Sequence, residues 1–406
     1  MQNEVKKRLV LMIPQMRHGG AERVVSRLSL LMSDFYDIYI VVFDDSKITY
    51  EVGCELISLN AKPNPQNNMF KRVLNILKRI YLYSRFKKNN NIDITYSFGD
   101  TANLVNVFSF GNDKKVISIR GFKRIRLGKG IKEKYLFKPI SKFLCYKSHL
   151  IVSVSELMSR TIIKEYKIPS SKIKTIYNGY DVDKIIKSSK ERISGDDFVK
   201  IGNDRVIVTA GTFRAEKGYW HLLKAFSLVH KKEKDIKLLI LGENYCGNKQ
   251  KIEKLANELN ISDNIIYGGY QTNPFKYFSK SSIYVLTSTS EGFPNAMVEA
   301  MTCGLPVIAS DCKTGPREIL APDTSLSKST TSIEMGKYGV LVKRMNEHEN
   351  YNSSIIEDCD QNLADAIVMM LNDENLRNKY ADRSRQRAND FSYIEWIKKQ
   401  NEILLD

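Results

Sequence analysis

The stretch from Thr287 to Pro316, TSTSEGFPNAMVEAMTCGLPVIASDCKTGP, limits the possible folds of this chain more than any other. It follows the apolar run Ile283–Leu286, which is typical of a buried strand. Pro294 suits the first position of a helix, because its missing N–H is unpaired there anyway, and Gly304 is a natural end to that helix. A second strand is predicted over Pro306–Ala309. The stretch therefore predicts a β–α–β unit of a parallel sheet, which binds ligands outside the carboxyl ends of its strands.

Two carboxylates belong to this unit. Glu291 precedes the predicted helix, and Glu299 lies within its second turn. The helix N-terminus beside them offers free N–H groups and a partial positive charge, which suit a phosphate. A carboxylate next to a phosphate site has other natural partners, namely the hydroxyls of a ribose or a hexose. The alternative, from the residues alone, is that both glutamates are solvated charges at a helix end.

The complete string strongly resembles the nucleotide-sugar signature of retaining glycosyltransferases of family 4, which have the GT-B architecture. The shared pattern is a pair of glutamates separated by seven residues, EGFPNAMVE here, followed by AMTCGLPVIAS. The resemblance implies an α/β fold of the GT-B type, with two Rossmann-like domains facing across a cleft. It also implies that Glu299 binds the ribose of the donor and that Glu291 contacts the donor sugar, as a nucleophile or as an orienting group. Four more residues of the string are expected at the donor, namely Phe293, Pro294, Asn295 and Ala296.

A glycine turn opens the second half of the chain, where GTFRAEKG follows the predicted strand Val206–Ala210. Arg214 and Lys217 lie three residues apart after Gly211, and such a cationic pair can clamp a diphosphate. An exposed basic loop is the alternative. The segment is similar to the G-R-x-x-x-K-G element of the same family, which implies that both cations stabilise the leaving diphosphate and that Gly211 adjoins the donor. No metal ion and no cofactor is then expected, because these cations and the helix N-terminus supply the positive charge.

The beginning of the chain carries a weaker phosphate motif. A predicted strand over Lys7–Pro14 is followed by Gly19 and Gly20 and then by a helical pattern, and glycine lets backbone N–H groups approach a phosphate. The letters GGAER resemble the family element whose backbone faces the donor diphosphate. Arg120 ends another predicted strand, where many relatives have histidine. It is expected to contact a phosphate or a sugar hydroxyl, or to belong to the adjacent basic surface.

Two domains are expected, because 406 residues exceed what one hydrophobic core accommodates. Alternating strands and helices predict a Rossmann-like domain over residues 1–183, on the acceptor side. Residues 184–203 are polar and are predicted to form a linker. Residues 204–390 are predicted to form the Rossmann-like domain that binds the nucleotide sugar. The resemblance implies that the last helix, in segment 391–406, packs back on the first domain.

The net charge of +17 is concentrated in the first half of the chain. Residues 114–147 contain twelve Lys and Arg with one acid, and residues 69–88 contain seven with none. Aromatic and aliphatic residues interrupt both segments, a mixture that favours an anionic membrane surface. Nucleic acid and a general lysine bias of the composition are the alternatives.

Metal sites and membrane spans are not indicated. Asp181 and Asp183 spell the DxD signature of the other, GT-A class, but they lie in the predicted interdomain turn, so we do not expect them to bind a metal. The six cysteines are scattered without a CxxC pair. Because there is no run of eighteen apolar residues and no signal-peptide core, the expected location is cytoplasmic, peripheral on the inner face of the cytoplasmic membrane.

These observations predict a metal-independent hexosyltransferase. It is expected to move a hexose or N-acetylhexosamine from a nucleotide diphosphate sugar, a UDP-sugar for preference, to a glycan acceptor that is lipid-linked or an oligosaccharide. Retention of configuration and a role in bacterial surface polysaccharide, O-antigen or capsule assembly follow from the resemblance. A UDP-sugar 2-epimerase of the same fold would not need the basic segments. A nucleic-acid-binding protein would leave the donor-site residues unexplained, and no recognised nucleic-acid motif is present.

Overall fold

The computed structural model describes residues 6–17, 19–62, 64, 66, 68–121, 138–193, 205–244 and 247–405. The chain divides into two compact units. The N-terminal unit comprises Met1–Asn178 and Trp396–Asp406, and the C-terminal unit comprises Gly179–Glu395. Each unit contains a parallel-dominated sheet accompanied by helices, which confirms the predicted α/β class.

The N-terminal unit alternates strands and helices, as its sequence predicts. Its strands are β1 (Lys7–Gln15), β2 (Tyr36–Asp44), β3 (Glu55–Ser58), β4 (Ile94–Phe98), β5 (Lys114–Ile119), β6 (Leu150–Ser153) and β7 (Ile173–Thr175). Its helices are α1 (Gly20–Leu31), α2 (Met69–Asn90), α3 (Asp100–Phe108), α4 (Lys138–Lys147) and α5 (Glu156–Tyr166).

The strand order of this unit is β3-β2-β1-β4-β5-β6-β7, and all neighbouring strands are parallel. The central strand β1 is buried on both faces over Leu9–Ile13, which explains why its sequence is a continuous apolar run rather than an alternating one. The order reverses between β1 and β4. The loop after β1 therefore opens at the switch point, where open α/β sheets bind ligands.

The C-terminal unit repeats this plan. Its strands are β8 (Arg205–Ala210), β9 (Ile236–Leu241), β10 (Ile265–Gly269), β11 (Ile283–Leu286), β12 (Val307–Ser310), β13 (Glu334–Met335) and β14 (Val340–Val342). Its helices are α6 (Val182–Ser189), α7 (Tyr219–Lys232), α8 (Asn248–Glu258), α9 (Phe275–Phe278), α10 (Asn295–Thr302), α11 (Pro316–Leu320), α12 (Asp358–Asn372) and α13 (Glu374–Asn389), with α14 (Tyr393–Leu405) at its end.

The strand order here is β10-β9-β8-β11-β12-β14-β13. Its switch point lies between β8 and β11, which pair in parallel through Ile283↔Ile207 and Tyr284↔Val208. The predicted β–α–β unit is β11, α10 and β12. The antiparallel edge strand β13 was not predicted, because its two residues are too few to show a periodicity.

The chain around residue 184 differs from the predicted linker. Residues up to Ser189 continue helix α6, which belongs to the C-terminal unit. The Asp181 side chain accepts a hydrogen bond from Lys184 N (3.0 Å) and thereby caps this helix, while Ile185 is buried. A favourable N-cap and one apolar anchor are enough to form a short helix in a polar sequence. Residues 194–204, the rest of the predicted linker, lie outside the described residues.

Helix α14 begins in the C-terminal unit, and from Trp396 onward it groups with the N-terminal unit. Asn401 Oδ1 accepts a hydrogen bond from the Tyr36 hydroxyl (2.7 Å). Lys114 Nζ donates to Ile403 O (2.9 Å), one of the carbonyls that the helix end leaves without an intrahelical partner. Burial of Trp396, Ile403 and Leu404 adds an apolar contribution to this packing.

A buried ionic contact joins helices α7 and α12. His221 Nδ1 lies 2.5 Å from Asp360 Oδ1, and both side chains are fully buried. Asp360 also accepts from Glu357 N (2.9 Å) in a capping box at the start of α12. Burial opposes a charge on His221, but the hydrogen bond and the charge of Asp360 outweigh it and raise the pKa of His221 to about 10.

We expect this pair to make stability depend on pH. A histidine whose pKa is raised in the folded state stabilises the fold fully below its unfolded pKa of about 6.5. That contribution is lost as the pH rises towards 10, because the folded state then has to release the extra proton. The difference in melting temperature between wild type and His221→Gln should therefore be largest near pH 6 and shrink steadily up to pH 10.

His230→Gln is a matched control for this experiment. His230 lies on the same helix α7, but burial lowers its pKa. Its melting-temperature difference from wild type should not narrow between pH 6.5 and 10. A constant difference for His221→Gln over that range would contradict a charged His221 in the folded protein.

Candidate active site

The switch point of the C-terminal unit brings together two loops that are distant in sequence. One loop, residues 211–218, follows β8, and the other, residues 287–294, follows β11. Because β8 and β11 are parallel neighbours, their carboxyl ends lie side by side. The two motifs that the sequence analysis singled out in this half of the chain therefore form one site.

Hydrogen bonds fasten the two loops to each other. The Thr287 hydroxyl donates to Lys217 O (2.8 Å), and Thr289 N donates to Glu216 O (2.8 Å). Gly218 has φ +62°, and a Cβ placed there would lie 2.3 Å from Thr287 O. Only glycine combines this left-handed backbone with so close an approach.

The fastened loops place Lys217 against Glu291. Lys217 Nζ lies 2.6 Å from Glu291 Oε1, and the two side chains are 25% and 10% exposed. Ser288 Oγ donates to the same Glu291 oxygen (2.6 Å), and the Thr314 hydroxyl donates to the Glu291 carbonyl. Burial and the negative charge of Glu291 raise the pKa of Tyr219. The cation predicted for a diphosphate and the carboxylate predicted for a sugar thus stand next to each other.

Arg214 and Gly211 complete the β8 loop. Arg214 is exposed and precedes the 3₁₀ turn Ala215–Lys217. Within the described ranges its guanidinium has no ion pair. A Cβ at Gly211 would lie 3.1 Å from Lys217 Cε and 3.2 Å from the Tyr219 hydroxyl. Glycine at this position leaves room for the Lys217 side chain.

Helix α10 carries the remaining residues of the predicted donor string. Glu299 is the fifth residue of the helix and is buried. Phe293 is buried and forms an edge-to-face contact with Phe391 at 5.6 Å between ring centroids. Asn295 Oδ1 accepts from the Tyr180 hydroxyl (2.6 Å). Ala296, the second helical residue, is half-buried.

The structure corrects the predicted start of this helix. Pro294 is the residue before α10 and not its first residue, because its ψ of 80° is far from the helical value. The helix begins at Asn295, one residue later than the proline rule indicates. Its end agrees with the prediction, since Gly304 follows with φ +82° and donates to Met301 O (2.9 Å).

Three predicted residues lie in the N-terminal unit. Gly19 and Gly20 stand after β1, at the N-terminus of α1, where free N–H groups favour an anion. Arg120 follows β5 and donates to Asn178 Oδ1. The charge of Arg120 also acts on Glu22, in the first turn of α1, whose pKa is raised by burial and lowered by Arg120 to a lesser extent. Arg120 and the start of α1 therefore share one neighbourhood of this unit.

Three polar residues beside predicted site residues were not predicted, namely Ser288 and Thr314 in the C-terminal unit and Glu22 in the N-terminal unit. All three lie in segments that resemble the family, Glu22 in GGAER and the others in Thr287–Pro316, but the resemblance assigns none of them a role. The spacing of Ser288, three residues before Glu291 in a turn, is the one local signal that was present. The roles of the others depend on contacts between separate loops or helices.

One group of metal-ligand side chains occurs in the described residues, formed by His221, Glu357 and Cys359, whose ligand atoms lie within 4.8 Å of one another. Their hydrogen bonds are internal. His221 contacts Asp360 through Nδ1 and Asn346 O through Nε2 (3.1 Å), while Glu357 takes part in the capping box of α12. This group therefore acts as a contact between helices α7 and α12, next to the β8 loop, since His221 N donates to Gly218 O (3.0 Å).

Comparison with known proteins adds to this geometry. The family model for Glycosyl transferases group 1 matches residues 194–387, and the model for Glycosyltransferase Family 4 matches residues 18–184. An uncharacterized glycosyltransferase of Methanocaldococcus jannaschii is 31% identical over 390 residues, which make up 93% of this chain and 94% of the relative. The chain is a family 4 glycosyltransferase.

Solved structures agree with this glycosyltransferase in fold. Anabaena HepE in complex with UDP and glucose has a TM-score of 0.75 at 17% identity and covers 98% of this chain and 99% of its own. Sucrose-phosphate synthase of Thermosynechococcus elongatus has a TM-score of 0.76 at 16% identity and covers 98% of both chains. These likenesses confirm the predicted two-domain GT-B fold.

No helix within the described ranges of this glycosyltransferase combines the length and the hydropathy that a bilayer-spanning segment requires. Part of the basic segment 114–147, namely residues 122–137 with Phe122 and Phe137, lies outside the described residues. The other basic segment, residues 69–88, is helix α2.

The contact at Gly218 generates a stability prediction. Gly218→Ala should lower the melting temperature, because a left-handed backbone costs an alanine about 1–2 kcal/mol and the new Cβ would collide with Thr287 O. Gly247→Ala is a matched control, since Gly247 has φ +71° but no atom within 4 Å of an added Cβ. Thermal melting of both variants separates the cost of the left-handed backbone, which both share, from the cost of the collision with Thr287 O, which only Gly218→Ala has. Equal losses would contradict the close packing of the two loops.

Proposed function

We propose that this glycosyltransferase moves a hexose or an N-acetylhexosamine from a UDP-sugar to a lipid-linked glycan acceptor, with retention of anomeric configuration. The reaction would serve the assembly of a bacterial surface polysaccharide. The observation that carries the proposal is the contact between Lys217 and Glu291, which joins a diphosphate-type cation and a sugar-type carboxylate at one switch point.

The donor half of the proposal rests on charge. When the bond between the anomeric carbon and the diphosphate oxygen breaks, the oxygen keeps the electron pair and the leaving diphosphate gains negative charge. Lys217, the exposed Arg214 and the N-terminus of α10 would stabilise this charge. We propose that these groups make a divalent metal ion unnecessary. Glu299 would accept hydrogen bonds from the ribose hydroxyls.

Named relatives support the acceptor class and the stereochemistry. A Campylobacter jejuni relative, 26% identical over 396 residues that make up 96% of this chain and 97% of its own, is named N-acetylgalactosamine-N,N'-diacetylbacillosaminyl-diphospho-undecaprenol 4-alpha-N-acetylgalactosaminyltransferase. A Staphylococcus aureus relative, 28% identical over 218 residues, is named poly(ribitol-phosphate) alpha-N-acetylglucosaminyltransferase. Both names specify an α-linkage. Because the common UDP-hexoses are themselves α-linked, an α-product means retention.

A donor screen tests this function. Wild type should hydrolyse or transfer from at least one of UDP-glucose, UDP-galactose, UDP-N-acetylglucosamine and UDP-N-acetylgalactosamine, and EDTA should not abolish the reaction. Turnover of a GDP-sugar alone would contradict the choice of nucleotide. Arg214→Ala and Lys217→Ala should each slow the reaction by about 10²–10³, the size typical of losing one transition-state donor. Lys254→Ala, at an exposed position of α8, is the control.

The products of the screen distinguish the alternatives. NMR of the released sugar distinguishes hydrolysis or transfer, which leave C2 unchanged, from epimerisation, which inverts C2. Inversion at C2 would identify a 2-epimerase. Rates near wild type in both Arg214→Ala and Lys217→Ala would contradict the proposed donor site. Loss of activity in EDTA with recovery in manganese would contradict metal independence.

The membrane half of the proposal rests on helix α2, which exposes a stripe of apolar side chains in addition to those that it buries. Met69 and Phe70 are 73% and 70% exposed, and Val73, Leu74, Leu77 and Tyr81 are also exposed. At 100° per residue these six positions share roughly 140° of the helix circumference. A soluble helix normally turns such a stripe towards the core.

The inward face of α2 combines apolar and charged residues, because Tyr83 is buried in the hydrophobic core beside two buried cations. Arg79 is buried, and its guanidinium donates twice to Ala61 O (2.9 and 2.6 Å). Buried Lys87 forms an ion pair with Asp113 (2.6 Å). Because these partners satisfy the buried cations, α2 remains docked while its apolar stripe faces solvent.

The outward face of α2 also carries positive charge. Lys71, Lys78, Arg85 and Lys88 are exposed beside the apolar stripe, and α2 contains no acidic residue. Apolar side chains flanked by cations suit the boundary between the anionic headgroups and the acyl chains of a bilayer. We propose that α2 holds the enzyme at the cytoplasmic face of the membrane, where the sugar of a lipid-linked acceptor lies.

Vesicle binding tests this surface. Lys71→Glu/Lys78→Glu should weaken binding to phosphatidylglycerol vesicles by at least about thirtyfold, since each lysine contributes about 1 kcal/mol near an anionic surface. Phe70→Ser/Leu77→Ser should weaken binding at both 0.1 M and 1 M salt, because apolar contacts are not screened. Sedimentation with the vesicles measures both effects, and neutral phosphatidylcholine vesicles should bind little of any variant.

Lys231→Glu/Lys379→Glu is the matched control, with the same change of net charge at exposed positions of the C-terminal unit. It should bind vesicles far better than the α2 charge variant. Equal losses in both would mean that overall charge, and not α2, attracts the membrane. Donor hydrolysis in solution should be unchanged in all three variants.

A further inference from the structure

Two different donors meet on a single oxygen of Glu291. Lys217 Nζ and Ser288 Oγ each lie 2.6 Å from Glu291 Oε1. One donor is a cation at the end of a flexible side chain, and the other is a neutral hydroxyl on a short one. The two contacts differ in what happens to them when a phosphate arrives.

Ser288 is held rigidly by its neighbours. Thr287 and Thr289, on either side of it, both bond to the backbone of the β8 loop. The Ser288 side chain is 0% exposed, so its hydroxyl cannot exchange Glu291 for bulk water. Its direction is therefore set by the junction of the two loops and does not depend on the donor.

Lys217 has another task in the proposed function, on which the present inference rests. A diphosphate is a stronger partner for an ammonium group than one carboxylate oxygen, because it presents more negative charge. As Lys217 turns to the diphosphate, Glu291 loses its charged partner. A carboxylate without a fixed donor would then rotate or follow the ammonium group.

We infer that Ser288 is a positioning residue, which holds the Glu291 carboxylate towards the donor sugar while Lys217 binds the diphosphate. The neutral hydroxyl suits this role, because it keeps the orientation of the carboxylate without cancelling its charge. Ser288 itself touches neither the sugar nor the diphosphate. These separate roles of Ser288 and Lys217 explain why Glu291 Oε1 has two donors at the same distance.

The inference separates binding from turnover. Ser288→Ala should lower kcat for transfer or donor hydrolysis by about 3–10-fold, the size of one hydrogen bond. The affinity for UDP, measured by titration calorimetry, should stay within about twofold, since UDP lacks the transferable sugar that Glu291 would orient. Ser227→Ala is the control, because Ser227 is a buried serine of the same unit whose hydroxyl bonds to Lys224 O (2.7 Å) on α7.

A second measurement does not require a known donor. Ser288→Ala should lower the melting temperature of wild type. In a Glu291→Ala background it should be neutral or stabilising, because the Ser288 hydroxyl is then buried without its partner and its removal relieves that cost. Equal melting shifts in the two backgrounds would overturn the contact on which the inference depends.

The outcomes separate this inference from the proposed function. If no nucleotide sugar is turned over by wild type, the proposed function fails, and with it the positioning role, whatever the melting shifts show. If wild type is active and Ser288→Ala keeps the wild-type kcat, the positioning role is overturned while the proposed function stands. A fall in kcat matched by an equal loss of UDP affinity would also overturn it, since that result describes a general collapse of the site.

Discussion

The parallel pairing of β8 with β11 is the constraint on which the candidate active site depends. Lys217 and Glu291 are 74 residues apart in the chain, and they meet because each lies in the loop after one of these two adjacent strands. A different strand order would keep both motifs intact and separate their side chains. The site is therefore a property of the sheet and not of either motif.

Hydrogen bonds from hydroxyl and backbone groups then hold these two adjacent loops in a fixed position relative to each other. Threonines of the β11 loop bond to the backbone of the β8 loop, and Gly218 allows the close approach. A third loop, after β12, joins them through Thr314. Buried Arg317 stabilises this third loop, because its guanidinium forms ion pairs with Asp311 (2.7 Å) and Glu334 (3.0 Å). Neutral hydrogen bonds join the loops in addition to the Lys217–Glu291 ion pair, so the loops would stay joined if a ligand replaced that ion pair.

Helix α2 exposes an apolar surface and still has to remain docked on the N-terminal unit. Its inner face docks through buried Tyr83 and through Arg79 and Lys87, each of which has a specific buried partner. Such partners are costly to replace, since a buried cation left alone is strongly destabilising. Using charge for docking leaves the apolar stripe free for another surface. The same physical rule, that a buried polar group needs a partner, thus governs both the site and this helix.

The sequence by itself determined the local elements and which residues are candidates for the site. Strand β11 was predicted with the bounds that the structure has, because a continuous apolar run followed by a glycine turn is a local signal. The resemblance made Glu291, Glu299, Arg214 and Lys217 candidates, since their spacing is visible along the chain. Tertiary structure alone decided that Lys217 and Glu291 touch, that Ser288 shares their contact, and that α2 faces inward with its cations. These features depend on strand order and on which side of a helix meets the core, and periodicity shows only that the two faces of a helix differ.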